Sequence, residues 1–317
     1  MLSRVAESLY WIGRYLERAE NVTRLLMVTT EVAVEIEGLD DALAQAQWDE
    51  LLAAVGADGG PPIRFSQEHG LSLPYVRWLL LDEGNPVSVR KSLAHARENA
   101  RSVREALTLE VFLDLNESHR ELDRLRDEVP GDPVRALDDV GRTHRAIRTI
   151  LGSIEHTLSR DEGWSFMKLG EAFERTQRTL WVLGTRLPGL GRLGSGDLPV
   201  YYGLWRALLR ATASLENYRT LHGAHLDPAT VLQFLLFEPS APRSVRCGVL
   251  RIVRYLERLP VGVDSDEARK IVGRLDSRLR YDADEILNAQ GAVEFCAETS
   301  RSIAEAHDAV GRGFFRV

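Results

Sequence analysis

SLYWIGRYLERAENVTRLL, from Ser8 to Leu26, is a segment that occurs twice in this chain of 317 residues. The second copy is SFMKLGEAFERTQRTLWVL, from Ser165 to Leu183, at an offset of 157 residues. In the first copy apolar residues recur in three- and four-residue steps, which is the spacing of an amphipathic α-helix. This segment therefore predicts a long helix near the start of the chain, and its repetition predicts a second one near the middle.

The rest of the chain also has helical spacing, and no run of alternating residues indicates a strand, so the predicted fold class is all-α. The segment LPGLGRLGSGDL at 187–198 has the composition of a linker. The predicted helices cover about 2–37, 40–55, 74–81, 87–107, 109–128, 134–160, 163–186, 201–222, 229–237, 242–259, 265–288 and 292–310.

A second pair of similar blocks has almost the same spacing. WLLLDEGNPVSVR at 78–90 aligns with FLLFEPSAPRSVR at 234–246, an offset of 156. Two blocks whose offsets differ by only one residue predict two duplicated helical halves, 1–157 and 158–317. We expect these halves to form a long-helix bundle around a pseudo-two-fold axis, packed intimately into one body.

Each of these blocks carries a serine two residues after its proline, at Ser88 and Ser244. A serine at this position is suited to cap the N-terminus of the following helix. The free amides of such a helix end could also hold an anion.

Composition limits the classes of partner. The net charge of −7 and a pI near 5.7 argue against nucleic acid or an anionic membrane surface, and no apolar run reaches the roughly 20 residues of a membrane span. The N-terminus lacks the uninterrupted apolar stretch of a signal peptide. Two cysteines, Cys247 and Cys296, make neither a disulfide framework nor a metal set, so we expect a cytoplasmic protein.

Gly13, Glu17, Glu20 and Arg24 fall on one stripe of the first predicted helix. In the second copy this stripe reads Gly170, Glu174, Gln177 and Trp181. A glycine inside a helix costs about 1 kcal/mol relative to alanine, so its presence one turn before each acid indicates close approach of a backbone or a ligand. The stripe is either a buried Glu-Arg pair that locks two helices or a binding site.

A third block, HARENARSVRE at 95–105, places Arg97, Arg101 and Arg104 on one face of a predicted helix. This face is either a solvated surface with local ion pairs or a docking site for an acidic partner, a phosphate or a carboxylate. In the chain as a whole, 37 of the 40 basic residues are arginine, which favours bidentate recognition or reflects the codon bias of a GC-rich genome.

The sequence has no HExxH, GxSxG, GxGxxG or Walker motif, and we predict no catalytic residue, metal or cofactor. His222 and His225 are close in sequence, but glycine and proline place them at a helix end without a third ligand at fixed spacing.

Four blocks together resemble the bacterial alpha-E domain family: MLSRVAESLYWIGRYLERAENVTRLL, ARENARSVRE, RDEGW leading into LGEAFER, and LLFEPSAPRSVR. The resemblance covers nearly the whole chain and implies a signature pair at Glu17-Arg18. Glu174-Arg175 is the equivalent pair in the second half. Because Thr176-Gln177 replaces Ala19-Glu20 in the second copy, the two sites need not be equivalent.

Members of this family occur beside, or fused to, a circularly permuted ATP-grasp ligase, often with a transglutaminase-like protein. The resemblance therefore implies a non-catalytic helical partner, or a substrate-presenting subunit, of a system that joins carboxylates to amines. One alternative is an enzyme that uses a Glu/Arg pocket for general acid-base chemistry on a carboxylate or phosphate, and another is a structural scaffold. The residues favour the accessory protein over the enzyme and do not indicate an oligomeric state. The candidate binding residues are Glu17, Arg18, Glu20, Arg24, Arg97, Arg101, Arg104, Glu174 and Arg175.

Overall fold

The computed structural model describes residues 1–36, 40–57, 59–61, 73–127, 133–193, 198–260, 265–281 and 289–315. These ranges contain thirteen α-helices and no strand, which confirms the all-α class. The helices are α1 (Ser3–Ile36), α2 (Asp41–Val55), α3 (Leu73–Leu81), α4 (Val89–Ser102), α5 (Leu109–Asp127), α6 (Pro133–Thr157), α7 (Glu162–Leu193), α8 (Leu198–Ala211), α9 (Leu215–His222), α10 (Pro228–Phe237), α11 (Val245–Glu257), α12 (Ser265–Tyr281) and α13 (Ala289–Val310). A 3-10 turn, Arg104–Ala106, precedes α5, and a π-helical turn, Gly311–Phe315, follows α13.

Contacts divide the chain into two compact units, Met1–Glu171 and Ala172–Val317, and the division falls inside α7. In the first unit α1 packs against α2, α4 and α6, and its inward face is fully buried at Ile12 and Leu16. In the second unit α12 packs against α11 and α13. No helix within the described ranges has both the length and the apolar character that crossing a membrane requires.

Part of the predicted linker at 187–198 belongs to a helix, which corrects the prediction. α7 continues through Pro188 to Leu193. A proline inside a helix removes one backbone hydrogen bond, but Leu187 and Leu190 on either side are 1 % and 4 % exposed. Burial of these leucines offsets the lost bond. Residues 194–197 of the predicted linker lie outside the described ranges.

The helix predicted over 201–222 is in fact two helices, α8 and α9. The chain turns at Ala213, whose φ of 50° is left-handed, and Ser214 donates its amide to Leu209 O at 2.7 Å. This turn allows α9 to bury Tyr218, which is 1 % exposed and lies 5.5 Å from the ring of Phe234. A pattern confined to neighbouring residues does not reveal such a turn, because the gain comes from contact with another helix.

Two serines cap helices as the sequence predicts. Ser88 Oγ accepts a hydrogen bond from Lys91 N at 3.2 Å at the start of α4, and Ser244 Oγ accepts one from Cys247 N at 3.0 Å at the start of α11. The backbone angles of the two serines are nearly the same, with φ of −63° and −69° and ψ of 151° in both. The side chains thus satisfy an amide that each helix start leaves open.

Several helices begin at a fixed spacing along the chain. α4 and α11 begin at residues 89 and 245, α5 and α12 at 109 and 265, and α6 and α13 at 133 and 289, a difference of 156 in each pair. α1 and α7 end at 36 and 193, a difference of 157. α9 has no counterpart among the described residues of the first 157.

Candidate functional site

The glycines of the repeated segment lie where α1 and the first turns of α7 touch. A Cβ added at Gly13 would lie 2.0 Å from Met167 O, and one added at Gly170 would lie 2.0 Å from Tyr10 O. Each glycine thus faces the carbonyl of the residue three positions before the other glycine. The expectation of close approach is confirmed, and at both glycines the approaching group is a helix backbone.

About two turns after Gly13, α1 carries a buried ion pair. Glu20 is 2 % exposed and binds Arg24, four residues later on the same helix. His144 of α6 completes the cluster: its Nδ1 lies 2.9 Å from Thr23 Oγ1 and its Nε2 lies 4.0 Å from Glu20 Oε1. Thr23 Oγ1 lies 2.9 Å from the backbone oxygen of Glu20 and donates to it, so we assign the proton between Thr23 and His144 to Nδ1.

In α7 the corresponding pair is deeply buried. Arg178 places Nε and Nη2 each 2.9 Å from Glu174 Oε1, and the two residues are 2 % and 1 % exposed. The Arg178 guanidinium also lies 4.7 Å from the ring centre of Trp181. One turn further along, Gln177 and the Trp181 indole both bond to Ser300 of α13, the indole at 3.1 Å.

The two copies place their ion pairs one helical turn apart. Glu174 and Arg178 align with Glu17 and Asn21, whereas α1 has its pair at Glu20 and Arg24. The α7 positions aligned with that pair hold neutral side chains. The two sites therefore differ in the placement of charge, in agreement with the sequence difference between the copies.

The signature pair Glu17-Arg18 does not form a single pocket. Glu17 is fully buried, whereas Arg18 is half-buried and lies 5.4 Å from the ring centre of Tyr15. Consecutive residues on a helix point about 100° apart, which explains this separation. Glu174 and Arg175 repeat the pattern, with a buried acid and a half-buried base.

Arg18 also contributes to a lowered histidine pKa on the neighbouring helix α4. His95 of α4 stacks on Tyr15 with ring centroids 5.1 Å apart. Burial, followed by the positive charges of Lys91 and Arg18, lowers the pKa of His95. This surface therefore favours the neutral imidazole at physiological pH.

The three arginines of the third block do not share one continuous helix face, which corrects that expectation. α4 ends at residue 102, so Arg104 lies in the 3-10 turn. Arg97 donates to Asn116 Oδ1 of α5 at 2.7 Å, and the Arg104 guanidinium lies 4.4 Å from the Phe112 ring of the same helix. Arg101 is exposed and pairs within α4. The buried Val103 has a non-helical backbone, and this ends the helix earlier than its charge pattern suggests.

The described residues offer neither a metal site nor an activated thiol. Among them, no group of three or more histidine, cysteine, aspartate or glutamate side chains is arranged to hold a metal ion. Both cysteines are buried, and burial raises the pKa of the Cys296 thiol to about 12. Cys296 is therefore protonated at neutral pH and is a poor nucleophile.

Sequence reasoning missed His144 and Ser300 as partners of the repeated segment. His144 lies 121 residues from Thr23 in the chain, and Ser300 lies 123 residues from Gln177. No local spacing indicates contacts over such separations, because they exist only once the helices have packed.

Together, these features define an all-helical protein whose repeated segment combines a glycine-mediated helix contact with buried glutamate-arginine pairs. The chain belongs to the Alpha-E family, described as a predicted alpha-helical domain with a conserved ER motif, whose model matches residues 1–315.

The chain is also similar to longer mycobacterial proteins. Uncharacterized proteins of Mycobacterium bovis and of Mycobacterium tuberculosis strain CDC 1551 are each 27 % identical to it, over 96 % of this chain and 35 % of the relative. An uncharacterized protein of Mycobacterium tuberculosis strain H37Rv is 26 % identical over the same shares. The chain thus spans about a third of the length of these relatives. No solved structure matches it.

Proposed function

We propose that this protein is a non-catalytic helical partner, or a substrate-presenting subunit, of an ATP-grasp-type carboxylate-amine ligase system. The observation that carries the proposal is the burial of both signature glutamates, Glu17 at 0 % and Glu174 at 1 % exposure. A general acid or base must come within hydrogen-bonding reach of its substrate. Glu174 is instead engaged in a structural contact, because it pairs with Arg178 four residues later on the same helix.

The length of the relatives also supports the proposal. In the mycobacterial proteins the matching region occupies about a third of the chain. This proportion is expected for a module that works beside other domains. The proposed system operates in the cytoplasm, with the ligase as the direct partner and a transglutaminase-like protein as a further component.

We further infer that the chain consists of two duplicated halves, 1–157 and 158–317, related by a pseudo-two-fold axis. The common spacing of three pairs of helix starts supports this inference, as does the matching geometry of the Ser88 and Ser244 caps. The reciprocal contact of Gly13 and Gly170 is the arrangement expected where two equivalent helices meet.

The direct test is to co-express this protein with a circularly permuted ATP-grasp ligase of the same organism and to purify the two together. We expect the two to elute as one complex in size-exclusion chromatography, and the ligase to form product faster with this protein than without it. Bovine serum albumin at the same concentration controls for nonspecific stabilisation of the ligase. Separate elution together with an unchanged ligation rate would contradict the proposal.

A further inference from the structure

A cavity of about 250 Å³ lies in the first unit, where α1, the 3-10 turn and the residues before α5, the end of α6 and the start of α7 meet. Two sequence blocks that carry the family resemblance converge on it from distant parts of the chain. The block ARENARSVRE contributes Glu105, and the block RDEGW contributes Asp161, Gly163 and Trp164. The functional proposal above assigns no role to either block at this place.

The polar groups that line the cavity are mostly hydrogen-bond acceptors. Glu105 and Asp161 supply carboxylates, and Thr108 and Thr157 supply hydroxyls that are 2.7 Å apart. The lining contains no lysine, arginine or histidine. Within the described ranges, neither carboxylate forms an ion pair with a cationic side chain. The two carboxylates are therefore available to pair with a cationic ligand.

Positive groups near the cavity have partners of their own, and the Arg160 guanidinium lies 4.4 Å from the ring centre of Trp164 in the lining. Arg160 donates to the carboxylate and the backbone oxygen of Glu155. The N-terminal amine of Met1 pairs with Glu162 at 3.3 Å. The Asp161 carboxylate accepts a hydrogen bond from Trp164 N at 2.9 Å, which caps the start of α7.

The opposite wall of the cavity is apolar. It consists of buried or half-buried side chains from four elements: Leu9, Leu107, Leu158 and Met167. A concave apolar surface with a few convergent polar groups is the usual form of a small-molecule site. In this cavity, the polar groups would orient a positively charged end and the leucines would cover an apolar body.

We propose that this cavity binds a small primary amine, with its ammonium group between Glu105 and Asp161 and its apolar body against the leucine wall. An amine is favoured over a divalent cation because two carboxylates fall short of the six to eight oxygen ligands that calcium takes. The identification of this amine as the acceptor substrate of ligation rests on the proposed function. The binding itself does not depend on a ligase.

The test is isothermal titration calorimetry of the full chain with L-leucinamide, which has an ammonium group, an apolar body and no carboxylate. N-acetyl-L-leucinamide has the same body without the charge and serves as the control ligand. We expect L-leucinamide to bind at least ten-fold more tightly than the acetylated compound. This preference should decrease as salt increases, because the carboxylates are exposed.

Variants localise the binding. Glu105→Gln and Asp161→Asn should each weaken L-leucinamide binding at least five-fold, and asparagine keeps the cap of α7 because it caps helices as well as aspartate does. Glu110→Gln is the matched control, because Glu110 is exposed in the first turn of α5 and does not line the cavity. It should leave binding unchanged. Thermal melts followed by circular dichroism establish that each variant is folded.

The proposal is overturned if L-leucinamide does not bind, if both ligands bind equally, or if Glu110→Gln has the same effect as the two cavity variants. None of these outcomes affects the test of co-elution with the ligase. Conversely, if the protein binds the amine but neither co-elutes with the ligase nor changes its rate, the proposed function is contradicted and the amine site is still supported.

Discussion

Gly13 and Gly170 allow two helices to meet at a distance that a side chain would prevent. Each helix places a carbonyl oxygen where the Cβ of the other would stand. Glycine in a helix interior is unfavourable by itself, so this contact must return more packing energy than the two glycines lose.

Substitution of either glycine should therefore destabilise the protein. Gly13→Ala and Gly170→Ala each force the helices apart, and we expect the free energy of unfolding to fall by about 3 kcal/mol. Gly152→Ala is the control, because no atom lies within 4 Å of a Cβ added there. It should raise stability by about 0.5 kcal/mol through the greater helix propensity of alanine. Urea denaturation measures all three, and a stability of Gly13→Ala equal to the wild type would contradict the helix contact.

The buried pair in α7 gives a second prediction at the residue scale. Arg178→Ala removes the guanidinium that lies 2.9 Å from the buried carboxylate of Glu174. We expect a loss of about 3 kcal/mol in the free energy of unfolding.

An exposed pair in the same unit is the control for this loss. Arg219 and Glu216 of α9 are 3.3 Å apart, and their side chains are 45 % and 81 % exposed. Arg219→Ala should therefore cost less than about 0.5 kcal/mol in a parallel denaturation experiment. Equal losses for the two arginines would show that burial does not determine the value of the pair.

At the scale of the elements, α4 and α11 begin with the same serine cap, whereas the preceding turns differ in sequence. Asn85 and Ala241 occupy the aligned turn positions, and each accepts the amide of the capping serine at 3.1 and 3.0 Å. The backbone conformation is thus shared although the side chains differ. Turn geometry at this point depends on the backbone more than on the particular residues.

The two caps have the same backbone geometry, but Ser244 Oγ also donates to the backbone oxygen of Glu238, so removal of Ser244 should cost at least as much as removal of Ser88. Ser88→Ala and Ser244→Ala should each lower the free energy of unfolding by about 1 kcal/mol. Ser92→Ala in α4 is the control, since the buried Ser92 hydroxyl has no hydrogen-bond partner among the described residues. Its removal should be neutral or stabilising. A cost at Ser92 equal to that at Ser88 would contradict the capping role.

At the scale of the whole molecule, the boundary between the proposed halves differs from the boundary between the two compact units. The first turns of α7 lie between these two boundaries. The proposed halves meet at residue 157, whereas the contacts divide the chain after Glu171. The reason lies in the first turns of α7, which pack against α1 around Gly170. They belong to the second repeat in sequence and to the first unit in contacts.

Fragments distinguish these two boundaries. Residues 1–171 retain the part of α7 that contacts Gly13, and residues 1–157 lose it. We expect 1–171 to show a cooperative thermal transition by circular dichroism, and 1–157 to melt at least 10 °C lower or without cooperativity, because one side of α1 loses its cover. If 1–157 were as stable as 1–171, the helix contact would contribute little to the first unit.

Most of the helices could be predicted from spacing alone, because an amphipathic stripe needs only neighbouring residues to define it. The serine caps were predictable for the same reason, since the capped amide is three residues away. The breaks at Val103 and Ala213 were not predictable, because each serves the burial of a side chain against another helix. The same limit hid His144 and Ser300, the distant partners of the repeated segment.

By itself, the sequence determined the helical class, the family, and the glycine that precedes each signature glutamate. All of these depend on residue type and short spacing, which every part of the chain carries locally. The tertiary structure alone decided what covers the glycines, which acid pairs with which arginine, and that Glu105 and Asp161 line one cavity. These features depend on residues that are far apart in the chain, and their contacts are set by the packing of whole helices rather than by any local pattern.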